Sequence, residues 1–189
     1  MKKTALLLLL TFNTCLLFAQ KVDTIKRMVD GAMIRSTDSI VESASQIKEL
    51  SKFVALANYC GLTDTITSKG IVTIFAPSNN AIAKLHDNYY DSFNKPEDKW
   101  KLANLLKCYI VPGRFTSKDI LTLIRKGNGQ AVLTTLSGST LTATIDTNRN
   151  IVLTDMNGGQ SVISIFDIQQ KNGILDIITS PLFPLKPPA

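Results

Sequence analysis

Histidine is nearly missing from this chain: His86 is the only one. The three cysteines, Cys15, Cys60 and Cys108, form no C-x-x-C pair and have no histidine beside them. Zinc sites need four convergent Cys, His or carboxylate ligands, so this pattern suggests none. No H-E-x-x-H pair, G-x-S-x-G elbow or phosphate-cradling glycine loop occurs, which removes the usual hydrolase and nucleotide signatures. A lone histidine in the polar run His86-Asp87-Asn88 reads as a solvated residue. Asp87, Asp91, Glu97 and Asp98 lie close in sequence. That segment reads as a polar loop, whereas a glycosidase needs two carboxyls held about 5–10 Å apart across a cleft. Clustered positive charge is also missing. The formal charge is +6, but the basic residues are scattered, which argues against a nucleic-acid partner.

Long apolar runs are equally scarce. The one present follows the basic start Met1-Lys2-Lys3 and extends from Thr4 to Ala19, led by Leu6 to Leu10. It is shorter than the about 20 residues a membrane span requires, and Asn13 interrupts it. With Ala19 before Gln20 this is the layout of a secretory signal peptide over 1–19, so export to the periplasm, cell surface or exterior is expected. Cys15 lacks the small apolar residues that precede a lipidated cysteine. In an oxidising compartment Cys60 and Cys108 have one possible pairing. Both also sit in apolar stretches, where free thiols pack as small hydrophobes.

What is present reads in order. Residues 20–35 are a polar arm. Ser39 with Glu42 fits a capping box before a short helix over Ile40, Val41 and Ala44. Ile47, Leu50, Phe53, Val54 and Ala57 recur at helical steps, and Gly61 suits the left-handed position after the helix end. Leu62 and Ile66 lead into the loop Thr67–Gly70. Ile71 to Phe75 form a strand apolar on both faces. Pro77 ends its ladder, and Ser78 caps a helix through Ala81, Ile82 and Leu85. Trp100, Leu102, Ala103, Leu105 and Leu106 give a helix with a wide apolar face. Thr116 and Asp119 fit a second capping box before Ile120, Leu121, Leu123 and Ile124, closed by Gly127-Asn128-Gly129. From Ala131 to Thr179, turn signals separate short strands, among them Leu141, Ala143 and Ile145 alternating with threonines. Helices early and a strand meander late make an α+β chain with no internal repeat.

Three motifs carry a family resemblance. Thr73-Ile74-Phe75-Ala76-Pro77-Ser78-Asn79-Asn80-Ala81-Ile82 resembles the first signature of the fasciclin-like (FAS1) domain family. Leu105-Leu106-Lys107-Cys108-Tyr109-Ile110-Val111-Pro112-Gly113 resembles its L-L-x-Y-H-V-V-P-G landmark, with Cys108 in place of Tyr and Tyr109 in place of His. Asn172-Gly173-Ile174-Leu175-Asp176-Ile177-Ile178 resembles its second signature, with Asp176 where His is usual, followed by Leu182-Phe183-Pro184. Ile40-Val41-Glu42 and Gly61-Leu62-Thr63-Asp64-Thr65 resemble the family's entry. The resemblance covers about 36–184 and implies one domain between the arm and a short tail, 185–189. It implies a wedge of two small β-sheets with α-helices packed around it. It implies an adhesion or binding module, not an enzyme, without cofactor or metal, whose partner is a protein or glycan on a cell surface or matrix. A periplasmic glycan- or small-ligand-binding domain, or an uncharacterised hydrolase, are the other readings. Ser117-Lys118-Asp119-Ile120-Leu121 is similar to an element that contacts integrins in some animal fasciclin-like proteins. Lys118, Asp119 and Ile120 are therefore binding candidates, although Asp119 also reads as a helix cap. Tyr109 and Asp176 are candidates because they replace the family's histidines, although Asp176 also reads as a polar residue on the outer face of an alternating strand.

Overall fold

The computed structural model describes residues 24–85, 95 and 98–184. The signal segment 1–19, the start of the arm, His86, Asp87, Asp91, Glu97 and the tail 185–189 lie outside the described residues. Among the described residues a two-stranded hairpin and a seven-stranded sheet carry the fold. The hairpin is β1 (Lys26–Val29) and β2 (Ala32–Arg35). The helices before the sheet are α1 (Ile40–Gln46), α2 (Ser51–Tyr59) and α3 (Leu62–Ser68), with a 3-10 turn at Lys48–Leu50 between the first two. Then come β3 (Val72–Pro77), α4 (Asn79–Ala83), α5 (Lys99–Lys107), β4 (Ile110–Pro112) and α6 (Ser117–Lys126). The meander is β5 (Ala131–Thr134), β6 (Thr140–Ile145), β7 (Ile151–Thr154), β8 (Gln160–Gln170) and β9 (Gly173–Ile178).

The strand order is β4-β3-β9-β8-β7-β6-β5. The two small sheets of the wedge meet on β8. Its first residues pair with β7, and from Ile163 onward it pairs with β9 across two register shifts. Every neighbouring pair is antiparallel except β3 with β9, which run parallel from Val72↔Gly173 to Pro77↔Ile178. Both of these strands are buried along their whole length, as expected for apolar strands covered on two faces.

The first signature ties strand to helix. Pro77 stays in register with Ile178, and the N–H that it lacks is supplied one residue later, from Ser78 N to the Ile178 carbonyl at 3.1 Å. The Ser78 hydroxyl accepts from Ala81 N at 3.0 Å and opens α4. Asn79 Oδ1 accepts from Lys52 N, and its Nδ2 donates to the Lys48 carbonyl and the Ser51 hydroxyl. One amide thus satisfies free backbone groups where α2 begins.

Three expectations change, and the question left open for Cys60 and Cys108 is answered. Residues 26–35 of the arm are a β-hairpin, turned by Asp30 and Gly31 at positive φ. Its Val29 and Ile34 are buried in the core. Leu62 and Ile66 belong to a third helix, α3, which starts without a side-chain cap at Gly61. The apolar face of α5 comprises Leu102, Leu105 and Leu106, while Trp100 points outward at 67% exposure. Cys60 and Cys108 are both free thiols. Cys108 is buried and donates weakly to the Leu182 carbonyl, and burial pushes its thiol far up. Both capping boxes and the left-handed Gly61 are as expected.

Phe75 is fully buried on β3. Phe75→Ala is expected to lower unfolding stability by about 3–5 kcal/mol, measured by urea denaturation. A loss under about 1 kcal/mol would contradict its place in the core.

Candidate functional site

Three of the candidate residues, Lys118, Asp119 and Ile120, lie at the start of α6, and Asp176 reaches it through Asp167. Two anchors position the segment before it. Arg114 donates from Nη1 to the Gly173 carbonyl and from Nη2 to the Gln170 carbonyl, both at 2.9 Å. The Thr73 hydroxyl donates to the Gly113 carbonyl and accepts from Phe115 N, each at 2.8 Å. The helix then starts at a full capping box. Asp119 N donates to Thr116 Oγ1 at 3.2 Å, and Asp119 Oδ2 accepts from Thr116 N and Thr116 Oγ1 at 2.9 and 2.6 Å. Those Thr116 donors hold the Asp119 carboxyl below its ordinary range, and a carboxylate in the first turn is also favoured by the helix dipole.

A second aspartate grips the same helix end from below. Asp167 Oδ1 accepts from Ser117 N at 2.7 Å, and Oδ2 accepts from the Ser117 hydroxyl. Asp167 sits in the irregular part of β8 at φ 60°, a left-handed conformation that costs a non-glycine residue energy. Its own N–H donates to Asp176 Oδ1 at 2.8 Å. Arg27 of β1 donates to the neighbouring Phe166 carbonyl.

Of the five residues singled out by sequence, this arrangement leaves two at the surface. Lys118 and Asp119 are exposed. Ile120 is fully buried and anchors α6, so it is not displayed to a partner. Tyr109 is buried too. Its hydroxyl donates to the Leu182 carbonyl at 2.8 Å and accepts from Leu182 N at 3.0 Å, and its ring meets Phe53 edge-on at 6.2 Å. It staples the closing Leu182-Phe183-Pro184 segment to β4 instead of bridging core and surface. Asp176 is 0% exposed and does not lie on an outer face. The alternation misleads because β9 is covered on both sides. Burial, then the nearby Asp167 charge, push its carboxyl up to about 8 against the pull of the Asp167 N–H and Arg27. Its Oδ2 has no hydrogen-bond partner. Asp167, Arg114 and Asn79 were not singled out; only Asp167, a charge inside the apolar run Ile165–Ile168, carried a signal that could have marked it.

Among the described residues no three His, Cys, Asp or Glu side chains converge. A cleft of about 60 Å³ lies between Ile25, Arg27, Ile34 and Ser36 of the hairpin side and Asp167, Ile168 and Gln169 of β8. An apolar dimple of about 20 Å³ lies between α1, α2 and α3. Such volumes hold a few waters. No helix among the described residues is long and apolar enough to cross a membrane.

A bent sheet wrapped by short helices, with its signature residues spent on joining β3, β9 and α6, defines a non-repeating α+β architecture. The fasciclin domain family model matches residues 48–184, and the chain belongs to that family. It is similar to protein sll1483 of Synechocystis sp., 26% identical over 157 residues that span 83% of this chain and 79% of that protein. It is similar to human periostin at 24% identity over 150 residues, 79% of this chain and 16% of periostin. Among solved structures, a FAS1 domain pair from the insect cell adhesion molecule fasciclin I shares the fold. The TM-score is 0.59 at 24% identity, over 71% of this chain and 45% of that one.

The raised Asp176 value fixes a sign. The folded chain keeps a proton that the unfolded chain gives up near pH 3.9. Stability therefore falls as pH rises from about 4 to about 8, by up to about 1.4 kcal/mol per pH unit. Asp176→Asn, which mimics the protonated form, is expected to flatten that fall. Thermal melts at pH 5 and pH 8.5 check it: the variant should gain on the parent between the two. Equal slopes would place an ionised carboxylate at this position.

Proposed function

We propose that the chain is an exported fasciclin-domain binding module that contacts a protein, matrix or cell surface through the exposed start of α6. In this reading residues 1–19 are removed on export, 36–184 form the domain, and the module runs no reaction. The observation that carries it is the contrast within one turn of helix. Lys118 and Asp119 face solvent, while Thr116, Ser117 and Ile120 beside them are fixed by a cap, the half-buried Asp167 carboxylate and the core. A helix start and an Asp119 carboxylate held this firmly lose little conformational freedom on binding, which favours affinity. Family membership supports the same reading, because a neighbour in fold is a cell adhesion molecule. Fold analogy alone does not assign a partner.

The test uses Lys118→Ala combined with Asp119→Gln. Glutamine at this position keeps the capping box, so folding should survive and the melting temperature should barely move. Binding of the mature domain to immobilised matrix proteins or whole cells is expected to weaken at least about tenfold, equivalent to about 1.4 kcal/mol. Undiminished binding would move the contact surface elsewhere on the domain.

A further inference from the structure

The link between Asp176 and Asp167 joins a buried group to a displayed one. Asp176 holds the Asp167 backbone through Oδ1, and Asp167 holds the first residue of α6 through both of its own oxygens. The chain of contacts is continuous from the middle of β9 to the helix that carries Lys118 and Asp119. It contains one unsatisfied atom, Asp176 Oδ2. A buried carboxylate oxygen without a donor is costly, whereas a protonated one is far less so. We propose that Asp167 and Asp176 form a proton-controlled latch on α6: with Asp176 protonated the helix start is held, and when Asp176 ionises beside Asp167, Asp167 withdraws from Ser117 and residues 113–119 loosen.

The surroundings set the direction. Arg27 is the cation that acts on Asp176, and Asp167 is the anion. Arg114, on the segment before α6, is committed to the carbonyls of Gln170 and Gly173. Lys118 and Asp119 on α6 are exposed. From β3 the residue in register with Asp176 is the apolar Phe75. A second negative charge would therefore be opposed by one guanidinium that already donates to the Phe166 carbonyl. Like charges sharing a poorly solvated site repel strongly, and the strained φ of Asp167 gives it a reason to relax. The cleft beside Asp167 and Arg27 brings solvent to the Asp167 side of the link. That such loosening alters binding rests on the reading above, but the latch itself does not.

Hydrogen exchange of the peptide covering 113–121, corrected for intrinsic rates, tests this between pH 6.5 and 9.5. The parent is expected to lose protection by at least about tenfold, one pKa unit of coupling, while peptides from β6 and β7 stay protected. Asp176→Asn should abolish the pH dependence. Should that variant fail to fold, Asp167→Asn serves, since it keeps an acceptor for Ser117 N but removes the repelling charge, and it too should show no pH-dependent loss. Constant protection in the parent, or an unchanged loss in either folded variant, overturns the latch. Loosening without any change in cell or matrix binding would leave the latch standing and count against the adhesive role of this face.

Discussion

The parallel pairing of β3 with β9 is the constraint on which the other contacts depend. The two strands lie about a hundred residues apart, so no hairpin turn brings them together. The contact is enforced at its lower end by Asn172 and Gly173. A side chain at Gly173 would lie 1.7 Å from the Val72 carbonyl, and its φ of +150° excludes one as well. Asn172 uses its carbonyl to accept from Val72 N and its side-chain Oδ1 to accept from Ile40 N. One dipeptide therefore starts the parallel ladder and positions α1 against it. Long-range closure of this kind costs entropy that local contacts do not, and the full burial of both strands offsets it.

Once β9 lies between β3 and β8, the irregular stretch of β8 follows. The register shifts between Ile163 and Ile168 turn the strand from one half of the wedge to the other. A bulge re-aims side chains as well as bending the strand. Here it directs Asp167 toward α6 and leaves Phe166 half exposed. The bend that closes the wedge is thus the same feature that fixes the helix start. Stability and display are coupled through one residue, which differs from a surface loop that can vary freely.

Much of this was legible in the residues. Local chemistry carried the capping boxes at Ser39 and Thr116, the left-handed Gly61 and the strand boundaries of the meander, because each depends on neighbours within four positions. The hairpin at Lys26–Arg35 was hidden because its apolar stretches are only two and three residues long and lack alternation, flanked by Lys26, Arg27 and Arg35, although Asp30-Gly31 is a turn signal. Burial of Asp176 was not legible, since a polar residue in an alternating strand is ordinarily outside. What overrides the pattern is cover on both faces of β9. Tyr109 lies in the turn before the edge strand β4, and the distant Leu182 segment is what closes over it. The same non-local fact hid the partnership of Asp167 with Ser117, which are fifty residues apart.

Two departures from the family's usual residues then acquire a common meaning. Where histidine is usual in the second landmark, Tyr109 spends its hydroxyl on both backbone groups of Leu182. Where histidine is usual in the second signature, Asp176 spends one oxygen on the Asp167 N–H and leaves the other bare. The phenol hydroxyl both donates and accepts, so it is a fixed staple. The carboxyl is only half satisfied, and its burial opposes charge. Two inward-facing groups in equivalent roles therefore differ in kind: one closes the C-terminal segment permanently, and the other makes the hold on α6 depend on a proton. The surface chemistry of the α6 entrance is left to Lys118 and Asp119, whose backbone is set by the cap at Thr116 and by the Asp167 carboxylate.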